Sequence, residues 1–353
     1  MRNALSNAAR QQFNQYLAQQ ATLNGVDPDV VSRGQSFTVT PSVQQTLIER
    51  QRESSEFLSR INIVPVSEQQ AEKLGLGIGS TLAGRTNTDV NDRATQDPTT
   101  LDNDLYTCKQ TNSDTHVKYS KIDLWAKFKD FQLRMRNQVI QQQARDRIMI
   151  GFNGLAAATA TDRVANPLLQ DVNVGWLQQI RANKPTHVFA EGAKEEDLII
   201  IDPTAGVGDY RNLDALVFDA VHSFLPAWAQ GDTGLVAIVG GGLLHDKYFP
   251  FVDREEKPTE KLALDVILSK RELGGHGAVK VPFVPDNSIL ITRFDNLSIY
   301  EQENTRRRTI VDNAKRDRIE TYESVNEAYV VEDYDYALLI ENIQFGPTPD
   351  PAP

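Results

Sequence analysis

Two glycine clusters, five histidines, a lone cysteine and an arginine triplet are the residues whose type and spacing could carry chemistry in this chain. Gly75, Gly77 and Gly79 alternate with Leu74, Leu76 and Ile78. A dinucleotide fingerprint needs glycines that close a strand and open a helix onto a pyrophosphate, whereas a period of two belongs inside a strand. Gly240-Gly241-Gly242 does come after an apolar run and precede a helical one, where an anion can sit. It lacks a Lys-Ser/Thr ending, so a tight turn is the simpler reading. His116, His187, His222, His245 and His276 are scattered, none has a second His or Cys at metal-ligand spacing, and no H-E-x-x-H occurs. Cys108 stands in a polar stretch without a motif, and no serine has a G-x-S-x-G context. Arg306, Arg307 and Arg308 could touch phosphate, but a solvated face or pairing with an acidic neighbour explains them with less. The expectation is therefore no catalytic residue, no cofactor and no metal. A chain of 353 residues without a convergent constellation reads as an assembly or binding protein rather than an enzyme.

The elements that would position such residues are organised around Lys121–Leu155. Leu124, Phe128, Phe131, Met135 and Val139 recur at steps of three and four, the stripe of an amphipathic helix. Ser120 and Asp123 resemble a capping box, and Asn153-Gly154 a stop. About 30 residues would make a rod of roughly 45 Å. Its middle, from Gln141 to Arg147, is almost wholly polar, so the rod is expected to be buried at its ends and wet in its centre.

Before it, a short helix carries Leu5, Ala9, Phe13, Tyr16 and Leu17 on one side. The breaker-rich stretch Asn24–Ser36 then separates it from the rest of the chain. A strand is expected at Phe37, a second helix from Pro41, and a strand INIVPV whose Pro65 suits a sheet edge. Ser67–Ser120 is poor in apolar residues. Its alternating ends, Leu74 to Ile78 and Val117 to Tyr119, suggest two strands running out and back as an arm that needs a neighbour to lie on. After the rod come a helix over Asn166–Arg181, strands within Lys184–Gly208, and a helix carrying Leu213, Leu216, Val217, Ala220, Val221, Phe224, Leu225 and Trp228. Next are a buried strand LVAIV, a helix over Thr259–Lys270, and strands AVKVPF, SILITRF and NLSIYE. Strands alternating with helices indicate an α/β lobe. The acidic, Tyr-rich EAYVVEDYDYALLIENI reads as one strand, and GPTPDPAP as an irregular tail.

Length favours two lobes. Apolar residues make up 40% of the chain and its formal charge is −11, ordinary for a globular protein and unlike one that grips DNA. No apolar run reaches the roughly 20 residues that span a bilayer, so no membrane partner is expected. A single cysteine forbids an internal disulfide.

Eight segments, taken in order, resemble the major capsid proteins of the P2-like tailed phages: FTVTPSVQQTL from Phe37, ESSEFLSRINIVPVSE from Glu53, DLWAKFKDFQLRMRN from Asp123, IMIGFNG from Ile148, NPLLQDVNVGWLQ from Asn166, IVGGGLLHDKYFP from Ile238, NLSIY from Asn296 and YVVEDY from Tyr329. The resemblance implies an α+β chain of the Hong Kong 97 capsid fold. It would divide into an N-terminal helix and linker (1–36), an N-arm (37–66), an extended loop (67–120), a peripheral domain with the spine helix (121–205), an axial domain (206–300), returning peripheral strands (301–345) and a tail (346–353). It further implies self-assembly into hexamers and pentamers of an icosahedral head built in the host cytoplasm. The head would enclose double-stranded DNA without sequence-specific binding, its acidic shell keeping the genome from adhering. An internal scaffold that is also a protease, and a portal protein, would be partners. On this reading Leu5, Phe13, Tyr16 and Leu17 dock the scaffold, the chain is cut within Val31, Ser32, Arg33, Gly34, Gln35 and Ser36, and Leu74, Leu76 and Ile78 lie on a neighbouring subunit. An encapsulin-like shell protein of the same fold is the alternative.

Overall fold

The computed structural model describes residues 5–78, 83, 85–90, 92–93, 95, 99–125, 131–204, 206–244 and 271–346. The segment expected to be a helix at Thr259–Lys270, His245, the stretch 126–130 of the rod and the tail from 347 lie outside the described residues.

The chain is built on the 14-residue strand Arg318–Val331. It pairs antiparallel with Leu297–Gln302, Arg307–Asn313, Lys109–Asn112 and Thr115–Lys118. Phe37–Thr38 adds to Arg307–Asn313, and Asn62–Val66 adds parallel to Leu297–Gln302, completing a seven-stranded sheet. Pro65 sits on that terminal strand, where its missing amide costs no ladder bond. A six-stranded mixed sheet runs in the order Glu272–Leu273, His276–Lys280, Val236–Val239, Ile289–Thr292, Leu338–Ile340, Val188–Phe189. The stretch expected to be one acidic, Tyr-rich strand therefore serves both sheets. Arg318–Val331 ends, a tight turn at Tyr334–Tyr336 intervenes, and Leu338–Ile340 enters the second sheet.

Two cores result. One surrounds Trp176, which is fully buried with ring centroids 5.3 Å from Phe152, 5.4 Å from Tyr329 and 5.9 Å from Phe57. Its indole N–H donates to the Ser298 carbonyl at 3.0 Å, so no polar atom of the ring is left without a partner. Gly151 makes this possible: a Cβ there would lie 2.1 Å from the Trp176 ring, and the helix tolerates a glycine within it to admit the indole. The second core packs Leu216, Val217, Ala220 and Val221 of helix Leu213–Phe224 onto Ala237, Val239, Ile289, Ile291, Leu338 and Ile340. Asn212 caps that helix through its side-chain oxygen. Trp228, placed on the apolar stripe by spacing, is instead 60% exposed with its ring edge-on to Tyr336, because Pro226 ends the stripe's helix before it.

The rod is described as helices Tyr119–Trp125 and Phe131–Asn153, with Gly154 just past its end. Its burial differs from the expected pattern. Leu124 is 62% exposed, while Ile140, Ala144, Ile148, Ile150 and Phe152 are buried. Arg147, in the supposedly wet middle, is buried as well. Asp123 accepts the Ser6 amide at 3.2 Å rather than serving a box with Ser120. The helix expected over Asn166–Arg181 begins only at Trp176, since Pro167 and Leu169, the latter in left-handed backbone at φ 58°, break the preceding turn.

Candidate functional site

The arm is an antiparallel hairpin. Gln70–Ile78 pairs with Thr99–Thr107 from Gln70 opposite Thr107 to Ile78 opposite Thr99, and the two form a sheet of their own. Leu74, Leu76 and Ile78 stand in this register opposite Asn103, Leu101 and Thr99. The outgoing strand is the one the alternation pointed to. The returning strand is Thr99–Thr107, not Val117 to Tyr119: Thr115–Lys118 joins the central strand instead. Thr99–Thr107 carries Asp102, Asn103 and Asp104, so its pattern gave no alternation to read.

At its root the arm is fastened. The Tyr106 ring meets Tyr300 edge-on at 4.9 Å, and the Cys108 amide donates to the Gln69 carbonyl at 2.8 Å. Lys73 Nζ donates to the Val331 carbonyl at 2.5 Å and lies 5.1 Å from the centre of the Tyr334 ring. Asn173 and Gln179 donate to the carbonyls of Glu327 and Tyr329, at 2.9 and 3.4 Å. Three alternate carbonyls of the central strand are thus met by side chains rather than by another strand, which closes an edge that would otherwise invite pairing. A cavity of about 420 Å³ lies between this edge and the arm, lined in part by Lys73, Tyr106, Asn183 and Tyr334.

The N-terminal helix Asn7–Asn24 is docked, not separate. Ser6 caps it, accepting the Ala9 amide at 3.3 Å, and Gly25 ends it at φ 62°, where glycine is preferred. Leu5 and Ala9 pack with Tyr119; Phe13, Leu17 and Ala21 pack with Val31, Phe37 and Ile310, and Tyr16 borders them. The four residues expected to hold a scaffold therefore cover the chain's own sheet. Part of the expected linker is itself helix, Pro28–Ser32, because Asp27 caps it and Pro28 suits its first turn. Within the expected processing region Ser32, Arg33, Gln35 and Ser36 are exposed, Gly34 is half-buried and Val31 is buried. Strand pairing begins at Phe37, opposite Arg308.

Between the helix, the sheet and the rod lies an ion network that the residue spacing alone did not predict. Arg147 of the rod donates to Glu301 at 2.6 Å and to Glu327 at 3.1 Å, and to Gln51 at 2.7 Å. Arg306 pairs with Glu301 at 3.3 Å and closely with Glu323. Arg308 donates to Glu323 at 2.7 Å and to Gln20 of the N-terminal helix at 3.2 Å. Gln44 donates to Glu301 at 2.7 Å. Burial alone would raise the carboxyl pKa values of Glu301 and Glu323. The guanidiniums of Arg147 and Arg306 at the first, and of Arg308 and Arg306 at the second, outweigh it and hold both below the ordinary range. Burial opposes the Arg147 charge as well, but Glu327 and Glu301 hold it firmly on. A signal was present. Glu301 continues the inward phase of Leu297 and Ile299, and Glu323 and Glu327 that of Val325, Tyr329 and Val331. Charges on the apolar phase of three elements must meet one another. Arg306, 1% exposed, and Arg308 are accordingly ion-paired rather than presented to phosphate.

Cys108, the Gly240–Gly242 turn and His187 have structural roles. Cys108 is fully buried, and burial pushes its thiol up to about 11. Asp286 accepts the Gly242 amide at 3.2 Å, filling with a carboxylate the place an anion would take. His187 is buried with Nδ1 at 3.1 Å from the carbonyls of Tyr334 and Ala337. Among the described residues no group of three or more His, Cys, Asp or Glu is placed to hold a metal, and no helix is long and apolar enough to cross a membrane.

A mixed α+β chain with a long helix crossing a sheet and a hairpin arm paired only with itself defines the Hong Kong 97 type of phage capsid subunit. A subunit of the satellite phage P4 procapsid, solved with its size determination protein, superposes with a TM-score of 0.79 at 43% identity, covering 98% of this chain and 99% of that one. Residues 12–343 match the P2 family of phage major capsid proteins, and the chain belongs to that family. It is 47% identical to the capsid protein of Escherichia phage P2 over 97% of this chain and 96% of that one. It is 37% identical to the major capsid protein of Serratia phage KSP20 over 97% and 98%.

Proposed function

We propose that this chain is the major coat subunit of a tailed double-stranded DNA phage, self-assembling into the hexamers and pentamers of an icosahedral head in the host cytoplasm. The observation that carries the reading beyond family membership is the arm. Strands Gln70–Ile78 and Thr99–Thr107 pair only with each other, and an isolated two-stranded ribbon is marginal in water unless it lies on a partner. A second subunit supplies that partner, with Leu74, Leu76 and Ile78 at the contact. In this proposal Lys121–Leu155 is the spine of a peripheral domain (121–205), 206–300 is the axial domain gathered around the five-fold and six-fold positions, and 301–345 returns to the periphery. The internal scaffold and protease, the portal and the enclosed DNA are its further partners, and it performs no catalysis. The exposed Ser32, Arg33, Gln35 and Ser36 support trimming of the N-terminus during head maturation. Near-half identity with a phage capsid protein along nearly the whole chain weighs against the encapsulin-like alternative. Negative-stain microscopy of the purified protein, alone and with its scaffold, tests the assignment. Rings of five and six subunits or closed shells are expected, and a persistent monomer at high concentration with scaffold present overturns it.

A further inference from the structure

Residues 155–165, which follow the rod, read LAAATATDRVA, and every one of them is exposed. Leu155 and Val164 stand at 53% and 92% exposure, and the two charges, Asp162 and Arg163, are adjacent and opposite. Surface connections are ordinarily polar and loosely held. This one is apolar and tied down. The amides of Leu155 and Ala156 donate to the Gln170 carbonyl at 2.7 and 3.2 Å, and that of Ala158 to the Asp171 carbonyl at 2.9 Å. The Asp171 carboxylate accepts the Asp162 amide at 2.7 Å and the Asn166 side chain at 3.1 Å, and Asp162 accepts the Val164 amide at 2.8 Å. Ordering these residues costs conformational entropy, yet within the subunit the order gains them no burial. Ala157 and Val174 line the cavity of about 420 Å³ together with Leu105 of the arm, itself 60% exposed, so the apolar surface continues onto the arm's root.

We propose that the loop 155–165 is the surface on which the arm of a neighbouring copy lies; the proposal rests on the reading of the chain as a shell subunit whose arm needs a partner, and it names the place. The outgoing strand of the arm is uncharged from Leu74 to Ile78, with Leu74, Leu76 and Ile78 in one strand phase and glycines in the other. A ribbon of that composition is matched by a surface where no ion loses its water on contact, and 155–161 carries no charge. Five alanines in the loop leave room for Leu and Ile, since large side chains pack densely against small ones. The loop is already fixed by its hydrogen bonds, so covering it orders little that was free. Two other exposed apolar rings already have neighbours: Phe218 lies 4.3 Å from the His222 ring and Trp228 is edge-on to Tyr336. The subunit's own arm leaves all of 155–165 exposed, so the arm that covers the loop comes from another copy.

The test treats full-length protein carrying A158C and L76C, assembled with its scaffold, with a short bis-maleimide linker. The native Cys108 is fully buried and does not compete. Shells are expected to give a ladder of linked subunits on a denaturing gel, and the unassembled protein and either single variant none. A second variant, A160D/V164D, is expected to keep the thermal midpoint of the unassembled subunit, since both positions are exposed, and to lose shell formation, since the contact would bury two unpaired carboxylates. Shells of A158C/L76C without a ladder, or A160D/V164D shells in wild-type numbers, overturn the proposal. So does a ladder from A158C alone, which would set loop against loop, or a link within the unassembled monomer, which would lay the chain's own arm there. Shells are counted by microscopy for the wild type as well: if it forms none, the shell reading fails and this inference with it, whereas wild-type shells with any of the preceding outcomes overturn this inference alone.

Discussion

Arg147 stands where the rod crosses the sheet, with two carboxylates on one guanidinium and side-chain exposure of 5%. Removing one member of a buried ion cluster is costly because the others cannot be resolvated, typically about 3–5 kcal/mol. Arg147→Ala, which leaves Glu301 and Glu327 facing each other, is expected to destabilise the subunit by that amount. Thermal or denaturant unfolding of the unassembled protein measures it, and a midpoint equal to that of the wild type would show that the network contributes nothing. Combining R147M with E301Q and E327Q removes the mismatch and should recover part of the loss. The same cluster sets an acid limit. Glu301 and Glu323 have folded pKa values below the ordinary 4.5, so the unfolded chain takes up protons first as pH falls. Their contribution is complete above that ordinary value and is lost as pH drops below it through the folded values. Denaturant midpoints between about pH 6 and about pH 3 should fall with acidification, and E301Q should flatten the fall. A flat wild-type profile contradicts the assignment.

The arm is an element with a fastened root and a pairing of its own. Deleting residues 82–100 removes its tip, leaving Lys73, Tyr106 and both cores in place. The subunit should keep its thermal midpoint within a few degrees while shell formation is lost. A large cooperative loss of stability would instead show that the arm belongs to a core. At this scale much was legible. Leu213, Leu216, Val217, Ala220 and Val221 keep helical spacing and are buried as a stripe, and the glycines at 75 and 77 alternate in a strand. What was not legible was set by tertiary context. The helix starts at Trp176 because Leu169 takes left-handed backbone, held by packing against the first core. Thr99–Thr107 is a strand because Gln70–Ile78 pairs with it, though its own residues favour turns. Arg147 lies in the stretch whose polar residues read as wet, and Glu301 on the inward phase of its strand; both are buried, and only their partners make that possible.

Over the whole molecule the N-terminal helix is a covering layer. If the head matures by trimming, the mass of the subunit from DNA-filled heads should correspond to a chain starting between Ser32 and Phe37, since strand pairing protects the backbone from Phe37 onward. An intact mass matching all 353 residues, with or without the initiating Met, would give the helix a permanent structural role.

The manner in which that helix meets the network makes its removal electrically silent. It supplies Gln20, an uncharged amide, to Arg308, and Tyr16, whose phenol burial keeps protonated. The ions themselves, Arg147, Arg306 and Arg308 against Glu301, Glu323 and Glu327, all come from residues downstream of any cut in Ser32–Ser36 and already balance. The ion pair between the helix and the sheet, Arg10 with Asp312, is partly open to water, with side-chain exposures of 43% and 25%, so Asp312 can be resolvated when Arg10 departs. The chain can thus shed its first segment without stranding a charge inside the protein. The work of detaching it lies mainly in uncovering the apolar strip beneath Leu5, Ala9, Phe13, Leu17 and Ala21, with ionic strength acting only through the half-open Arg10–Asp312 pair.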